Sequence, residues 1–451
     1  MKLKGVPALC REKLMDKMIS LDKYQRLLDS RSFVRYIGKV TKVVGLTIEA
    51  EGPETHIGAL CYIKSRQNKT VLAEVVGFKN KQVLLMPIGD MNGIGPGNHV
   101  LAADKDLEVG VGQSLLGRVL DGLGNPMDGK GPLQVEKYYP VNNMPPNAMT
   151  RPRINQILPL GVKCIDGLLT VGKGQRMGIF AGSGVGKSTL MGMIARNAKA
   201  DINVIALIGE RGREVRDFLE RDLGDGLERS VVVIATSDQP ALVRLKGALV
   251  ATAIAEYFRD CGNDVILLMD SLTRFSMAQR EIGLAAGEPP VTRGYTPSVY
   301  AAMPKLLERS GTSSRGSITG LYTVLVDGDD MNEPITDTAR GILDGHIVLS
   351  RKLAHRNHYP AIDVLASISR VMNDVVEVSH KESANELRRN MAVYQDAEDL
   401  INVGAYVKGS NPDIDKSITL NQGINGFLKQ GTFDRFSFTD TAELLKQSVQ
   451  G

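Results

Sequence analysis

The run Ala181-Gly182-Ser183-Gly184-Val185-Gly186-Lys187-Ser188-Thr189 holds the densest concentration of chemistry in the chain. Glycines at this spacing let successive backbone N–H groups converge on an anion, and a helix beginning at the same place adds the partial positive charge of its N-terminus. Lys187 can reach the β and γ phosphates of ATP, and the Ser188 hydroxyl is a ligand for Mg2+. Ala181 stands where the pattern usually has glycine, which is tolerable if that residue needs no positive φ. Such a loop has meaning only between a strand and a helix. The apolar run 177–180 before it and the helical stretch 189–196 after it supply that setting.

Two carboxylates accompany the loop. Asp270 ends the apolar run 264–269, which places it at the carboxyl edge of a sheet, where a phosphate-bound Mg2+ would lie. Its other reading is the cap of a helix that starts at the following Ser-Leu-Thr. Glu210 follows the strand 204–208 in Gly209-Glu210-Arg211-Gly212-Arg213-Glu214, a position from which a carboxylate can orient and deprotonate the water attacking the γ-phosphate. Arg211 is grouped with these catalytic candidates. Glu214 and the neighbouring arginines also suit a structural ion-pair network.

The elements that must carry these groups follow from periodicity. Apolar strands at 177–180, 204–208, 231–235, 265–269 and 322–326, broken by helical stretches such as 241–260, predict a parallel sheet covered on both faces, an α/β core. Upstream, short β-rich runs at 36–41, 46–50, 71–77, 82–86 and 99–103 predict a small closed barrel. The turn-rich stretches 117–131 and 140–152 read as a linker between the two. After about residue 372 the chain is mostly helical, with 381–401 the longest helix expected, and residues 9–28 carry Leu14, Met18, Leu21 and Leu28 at amphipathic spacing. The resulting division is 1–30 as a partner-binding amphipathic segment, 31–103 as barrel, 104–375 as nucleotide-binding domain and 376–451 as helical domain.

Composition restricts the function classes. With 55 basic against 51 acidic residues and a net charge of +4, no broad footprint for nucleic acid is expected. The four cysteines lie far apart, without metal-ligand spacing, and are expected to be reduced. No secretory signal or membrane-spanning run is read, so a cytoplasmic location follows, with membrane association only through a partner.

Taken together, the loop, the Gly209–Glu214 segment, Leu267-Leu-Met-Asp-Ser-Leu-Thr-Arg-Phe275, Gly294-Tyr-Thr-Pro-Ser-Val-Tyr300 and Ser367-Ile-Ser-Arg370 resemble the catalytic subunits of rotary ATP synthases over about residues 30 to 451. Within that superfamily the stretches 167–190, 259–290 and 293–311 look most like the flagellum-specific ATPase of the type III export apparatus. The resemblance implies a six-stranded barrel, a RecA-like P-loop core and a C-terminal helical domain, assembled as a homohexamer around a central stalk protein. It implies Glu210 as general base and Arg370 as an arginine finger reaching the neighbouring subunit's γ-phosphate. Tyr359 aligns with the aromatic residue that stacks on adenine, with Tyr406 as a second candidate; core packing is the other reading of both. The loop 327–333 resembles the acidic loop that faces the stalk. Further partners implied are a stator-like regulatory protein at the N-terminus, export-gate membrane proteins and chaperone–substrate complexes, at the cytoplasmic face of the inner membrane. The competing classes are the ATPase of a virulence type III secretion system, a true ATP synthase subunit and a hexameric RNA helicase of the termination-factor type.

Overall fold

The computed structural model describes residues 36–65, 69–103, 105–326, 328 and 330–450. The amphipathic segment expected at 9–28, and Asp327 and Asp329 of the acidic loop, lie outside the described residues.

Strands β1 (Ile37–Val44), β2 (Thr47–Glu51), β3 (Leu60–Lys64), β4 (Thr70–Lys79), β5 (Gln82–Pro87) and β6 (His99–Ala102) close into an antiparallel barrel in the order β1-β2-β5-β4-β3-β6. The interior is filled by the inward members of each alternation, among them Val40, Ile48, Cys61, Ile63, Val75, Leu85 and Val100. Periodicity alone found five of these six strands. β3 escapes it because Leu60 and Cys61 are both buried and only Tyr62 and Lys64 point outward, so five residues show barely one full alternation.

Beyond the barrel, β7 (Glu108–Val111) and β9 (Lys137–Pro140) form a two-stranded ribbon. The main sheet comprises β8 (Val119–Asp121), β10 (Arg176–Ala181), β11 (Ile202–Ile208), β12 (Ser230–Ala235), β13 (Asp264–Asp270), β14 (Gly311–Thr312), β15 (Ser317–Leu325), β16 (Gly345–Leu349) and β17 (Ile362–Ser369). Its order is β17-β16-β10-β15-β13-β11-β12-β8, with β14 antiparallel to β15 and β17 antiparallel to β16. The remaining pairings are parallel. β11 shows why its sequence is apolar throughout: Val204, Ala206 and Ile208 join the layer containing helix Ala241–Asp260, while Ile205 and Leu207 face the layer containing helix Lys187–Asn197.

The linker expected at 117–131 is corrected by the structure. β8 lies inside that stretch and runs parallel to β12 as the edge of the main sheet. The turn residues hang from it as a tight loop, in which the Asp121 carboxylate accepts from the backbone N–H groups of Leu123 and Asn125 and Arg118 pairs with Asp128 at 2.7 Å. A three-residue strand is too short to show a period.

Helices Val378–Asn402, Pro412–Leu428 and Phe438–Gln450 pack on one another and against the short helix Lys163–Leu168. Gly167 has to be glycine there, since a Cβ would lie 2.7 Å from the Phe427 ring. No helix among the described residues is long and apolar enough to cross a membrane.

Two buried ion pairs brace the core. Lys246 reaches Glu74 of the barrel at 2.7 Å. Arg309 grips Glu256 through two bonds of 2.9 and 2.8 Å, with side chains 1% and 0% exposed. Arg309 also donates to the Val141 carbonyl, and Glu256 accepts from Asn143, so the strap at 140–143 is tied to helix Ala241–Asp260. Removing one partner leaves a buried charge uncompensated, so Glu256→Ala is expected to cost about 3–5 kcal/mol, read as a shift in denaturant midpoint. The pair Glu256→Leu with Arg309→Met should recover a large part of that loss.

Candidate active site

β10 delivers the chain to the loop and helix Lys187–Asn197 carries it away. Gly184 and Gly186 adopt φ of 77° and 90°, which requires glycine, whereas Ala181 has no positive φ and its replacement of glycine costs nothing. Gly182, Ser183, Gly184, Gly186, Lys187, Ser188 and Thr189 line one wall of a cavity of about 750 Å³. Val185 is not among the residues that line the cavity, because its side chain is buried in the apolar layer beneath. The opposite wall holds Gly209, Glu210, Arg211, Glu214, Ser237 and Arg274.

The Lys187 ammonium donates to Asp270 Oδ1 at 2.6 Å and approaches Glu210 Oε1 at 3.5 Å. The geometry follows from the sheet: β11 and β13 are adjacent and parallel, with Leu207 opposite Asp270, so Asp270 at the end of β13 and Glu210 just beyond β11 stand at one edge. Burial alone would lower Lys187, but the charges of Asp270 and Glu210 hold it above its ordinary value. Glu210 is pushed up to about 7, first by burial and then by the charge of Asp270, against the opposing pull of Lys187.

Asp270 does not cap the following helix. Ser271 takes that role, its hydroxyl accepting from the Arg274 N–H at 3.2 Å, and the Asp270 carboxylate is left facing the loop. Arg211 is 81% exposed at the cavity mouth, 3.7 Å from Glu214, and Arg213 and Arg216 pair with Asp217 and Glu220 along the same exposed helix. The arginines of this segment therefore form a surface ion-pair row as well as a cavity rim.

Tyr359 lies beside the loop, its ring 3.6 Å from the position a Cβ would take on Gly186, and is 42% exposed. Tyr406 is elsewhere: its hydroxyl donates to the Asn411 carbonyl at 2.9 Å and lies 3.0 Å from Asp415, closing the turn between two C-terminal helices. It does not line the cavity, and local hydrogen bonding explains its place. Arg370 follows β17, exposed, with its backbone N–H bonded to the Asp344 carbonyl. Tyr359 before β17 and Arg370 after it stand at opposite edges of the sheet, and because β17 runs against β16 it is the Tyr359 end that lies on the loop side. Eight strand residues separate those edges by roughly 26 Å, beyond the reach of an arginine side chain.

Two site residues were not found from sequence. Arg274 lines the cavity with its Nε buried and without a hydrogen-bond partner, a cation available to an anionic ligand. Its signal is an arginine in the first turn of a helix that starts beside a strand-end acid. Thr323 donates to Asp270 Oδ1 at 2.6 Å and fixes that carboxylate; its strand also carries the hydroxyls of Ser317, Thr319 and Tyr322, so no sequence signal singles it out.

The proton on Glu210 is bound more tightly in the folded chain than in an unfolded one. Stability is therefore expected to fall as pH rises from the ordinary value of 4.5 towards about 7. Glu210→Gln removes the titrating group, so that part of the slope should vanish and the variant should be more stable than the parent at neutral pH. Thermal unfolding followed across pH 5 to 8 checks both expectations.

Comparison with known proteins accords with this arrangement. The ATP synthase alpha/beta family, nucleotide-binding domain, matches residues 161–369; the beta-barrel domain of the same family matches 40–103; and the T3SS EscN ATPase C-terminal domain matches 376–447. The flagellum-specific ATP synthase of Bacillus subtilis is 57% identical over 95% of this chain and 97% of its own length. The type 3 secretion system ATPase of Xanthomonas euvesicatoria is 51% identical over 93% and 96%. Among solved structures, the assembled ATPase EscN of the enteropathogenic E. coli type III secretion system, in complex with its central stalk EscO, superposes with a TM-score of 0.85 at 46% identity, covering 91% of this chain and 100% of that one. The chain is an ATPase of the ATP synthase alpha/beta family, in the branch that comprises the flagellar and type III secretion enzymes.

Proposed function

We propose that this chain hydrolyses MgATP as one subunit of a homohexameric ring that energises flagellar type III protein export. The observation that carries the reading is the division of the site: a phosphate loop with Lys187, Glu210 and Asp270 gathered at one edge of the sheet, and Arg370 exposed at the other. A ring in which one edge meets the next subunit's opposite edge brings the two halves together. The flagellar assignment is supported by the 57% identity to the Bacillus subtilis enzyme.

In this reading the loop N–H groups and Lys187 hold the β and γ phosphates, and Lys187 leaves Asp270 as the nucleotide enters. The oxygen-only donor set of Ser188 and Asp270 fits Mg2+, which takes few protein ligands and shares the phosphates and waters. When bound, the ion neutralises charge on the phosphate oxygens. Glu210, ionised, accepts the proton of the attacking water as its oxygen bonds to the γ-phosphorus, while the bond to the β-phosphate oxygen breaks and ADP leaves with the electron pair. Arg274 faces the phosphates from the cavity wall, Arg211 stands at the rim, and the neighbour's Arg370 stabilises the transition-state charge. Tyr359 offers its open ring face to the adenine. A stalk protein in the ring centre, a stator-like regulator at residues 1–30, export-gate membrane proteins and chaperone–substrate complexes are the partners this function requires, at the cytoplasmic face of the membrane.

Three outcomes test the reading. Glu210→Gln should retain MgATP binding while turnover falls about 10²- to 10⁴-fold. In the parent, kcat/KM should climb as pH rises through about 7, when Glu210 loses its proton. ATPase rate per subunit, measured against concentration alongside molecular mass, should rise steeply with assembly and lose about 10³- to 10⁵-fold of that rise in Arg370→Ala. A flat rate in a monomer would remove the shared site.

A further inference from the structure

Gln430, two residues beyond helix Pro412–Leu428, is buried at 7% exposure and joins three segments that are distant in sequence. Its side-chain Nε2 donates to the Gly161 carbonyl at 2.9 Å and to the Asp434 carbonyl at 3.2 Å, and its Oε1 accepts from the Lys163 N–H at 2.8 Å. Its backbone N–H donates to the Tyr359 carbonyl at 3.0 Å.

The turn that the side chain holds is rigid for its own reasons. The buried Asp166 carboxylate accepts from the N–H groups of Leu160 and Gly161, each at 2.8 Å. Gly161, at φ 72°, packs so closely on Asn197 that a Cβ would lie 2.5 Å from it. Asn197 is the last residue of the helix that Lys187 begins. Gln430 thus ties the Tyr359 turn to the far end of the phosphate-loop helix, whose near end carries the glycine beside the Tyr359 ring.

We propose that Gln430 is a positioning residue for the nucleotide base: by seating the helical domain on the Gly161 turn it holds Tyr359 against Gly186, and affinity for the base depends on that seating. This rests on the reading of Tyr359 as the base-stacking residue. An amide is suited to the task because in a single plane it supplies two donor hydrogens, for the Gly161 and Asp434 carbonyls, and an acceptor for the Lys163 N–H. Alanine would take the side-chain partner from the Gly161 carbonyl and the Lys163 N–H, while the Asp434 carbonyl keeps Asn197 Nδ2, and would release the turn. The phosphates are held by other residues, so their binding should be untouched.

The test separates base from phosphate. KM for MgATP and inhibition by inorganic tripolyphosphate, which has the phosphates and no base, are measured in the assembled full-length protein for Gln430→Ala, Tyr359→Ala and the double variant. Gln430→Ala is expected to raise KM roughly tenfold while kcat moves less than about twofold, with inhibition by tripolyphosphate unchanged. In the Tyr359→Ala background it should add nothing. If Tyr359→Ala raises KM and Gln430→Ala does not, or if Gln430→Ala weakens tripolyphosphate equally, the positioning role is overturned while the reading of Tyr359 stands. If Tyr359→Ala leaves KM unchanged, the base-stacking reading itself falls and the inference with it. Should Gln430→Ala fail to fold, Gln430→Glu, equal in shape but lacking the donor, carries the same measurements and the same criteria.

Discussion

A single ammonium between two carboxylates is the contact on which the site depends. Adjacent parallel strands bring Asp270 and Glu210 to the same edge, where low exposure strengthens their repulsion. Lys187 compensates that repulsion, and Thr323 fixes the orientation of Asp270 from the neighbouring strand. The compensation is incomplete, and Glu210 is left titrating near neutrality. A carboxylate poised there suits proton abstraction at physiological pH, at some expense to the fold.

The direction of one strand has a second consequence. Were β17 parallel to β16, its end would fall on the loop side of the sheet. It runs the other way, so the chain that passes the loop at Tyr359 emerges at the far edge with Arg370. Tyr359 and Arg370 therefore cannot meet within one subunit, and the role proposed for Arg370 requires a neighbouring one.

The three structural units are joined by buried polar contacts rather than by packing alone. Lys246 ties the barrel to the core through Glu74, and Gln430 and His380 tie the helical domain to the Gly161–Gly167 region through backbone groups. Each is sheltered from water and satisfied in only one relative placement of its units, so such contacts specify geometry more than they add stability.

Local pattern made much of this legible. The phosphate loop, its strand and helix, and the carboxylates at strand ends are contiguous runs whose chemistry follows from residue type and spacing, and the long apolar strands announce a sheet buried on both faces. The barrel was legible apart from β3. What escaped were features shorter than a period or made across the chain. Val119–Asp121 hid inside a turn-rich stretch because three residues carry no alternation. Arg274 and Thr323 join the site only through neighbours brought close by the sheet. Tyr406 is an aromatic residue whose surroundings sequence cannot supply, and folding gave its hydroxyl to a turn. The side chain of Gln430 meets Gly161 across 269 positions, a hydrogen bond that exists only once the helical domain has docked. Sequence by itself determined the chemistry of each segment, since backbone and side-chain preferences act over a few residues; which groups share a site was decided by strand order and direction, which arise from packing between distant segments.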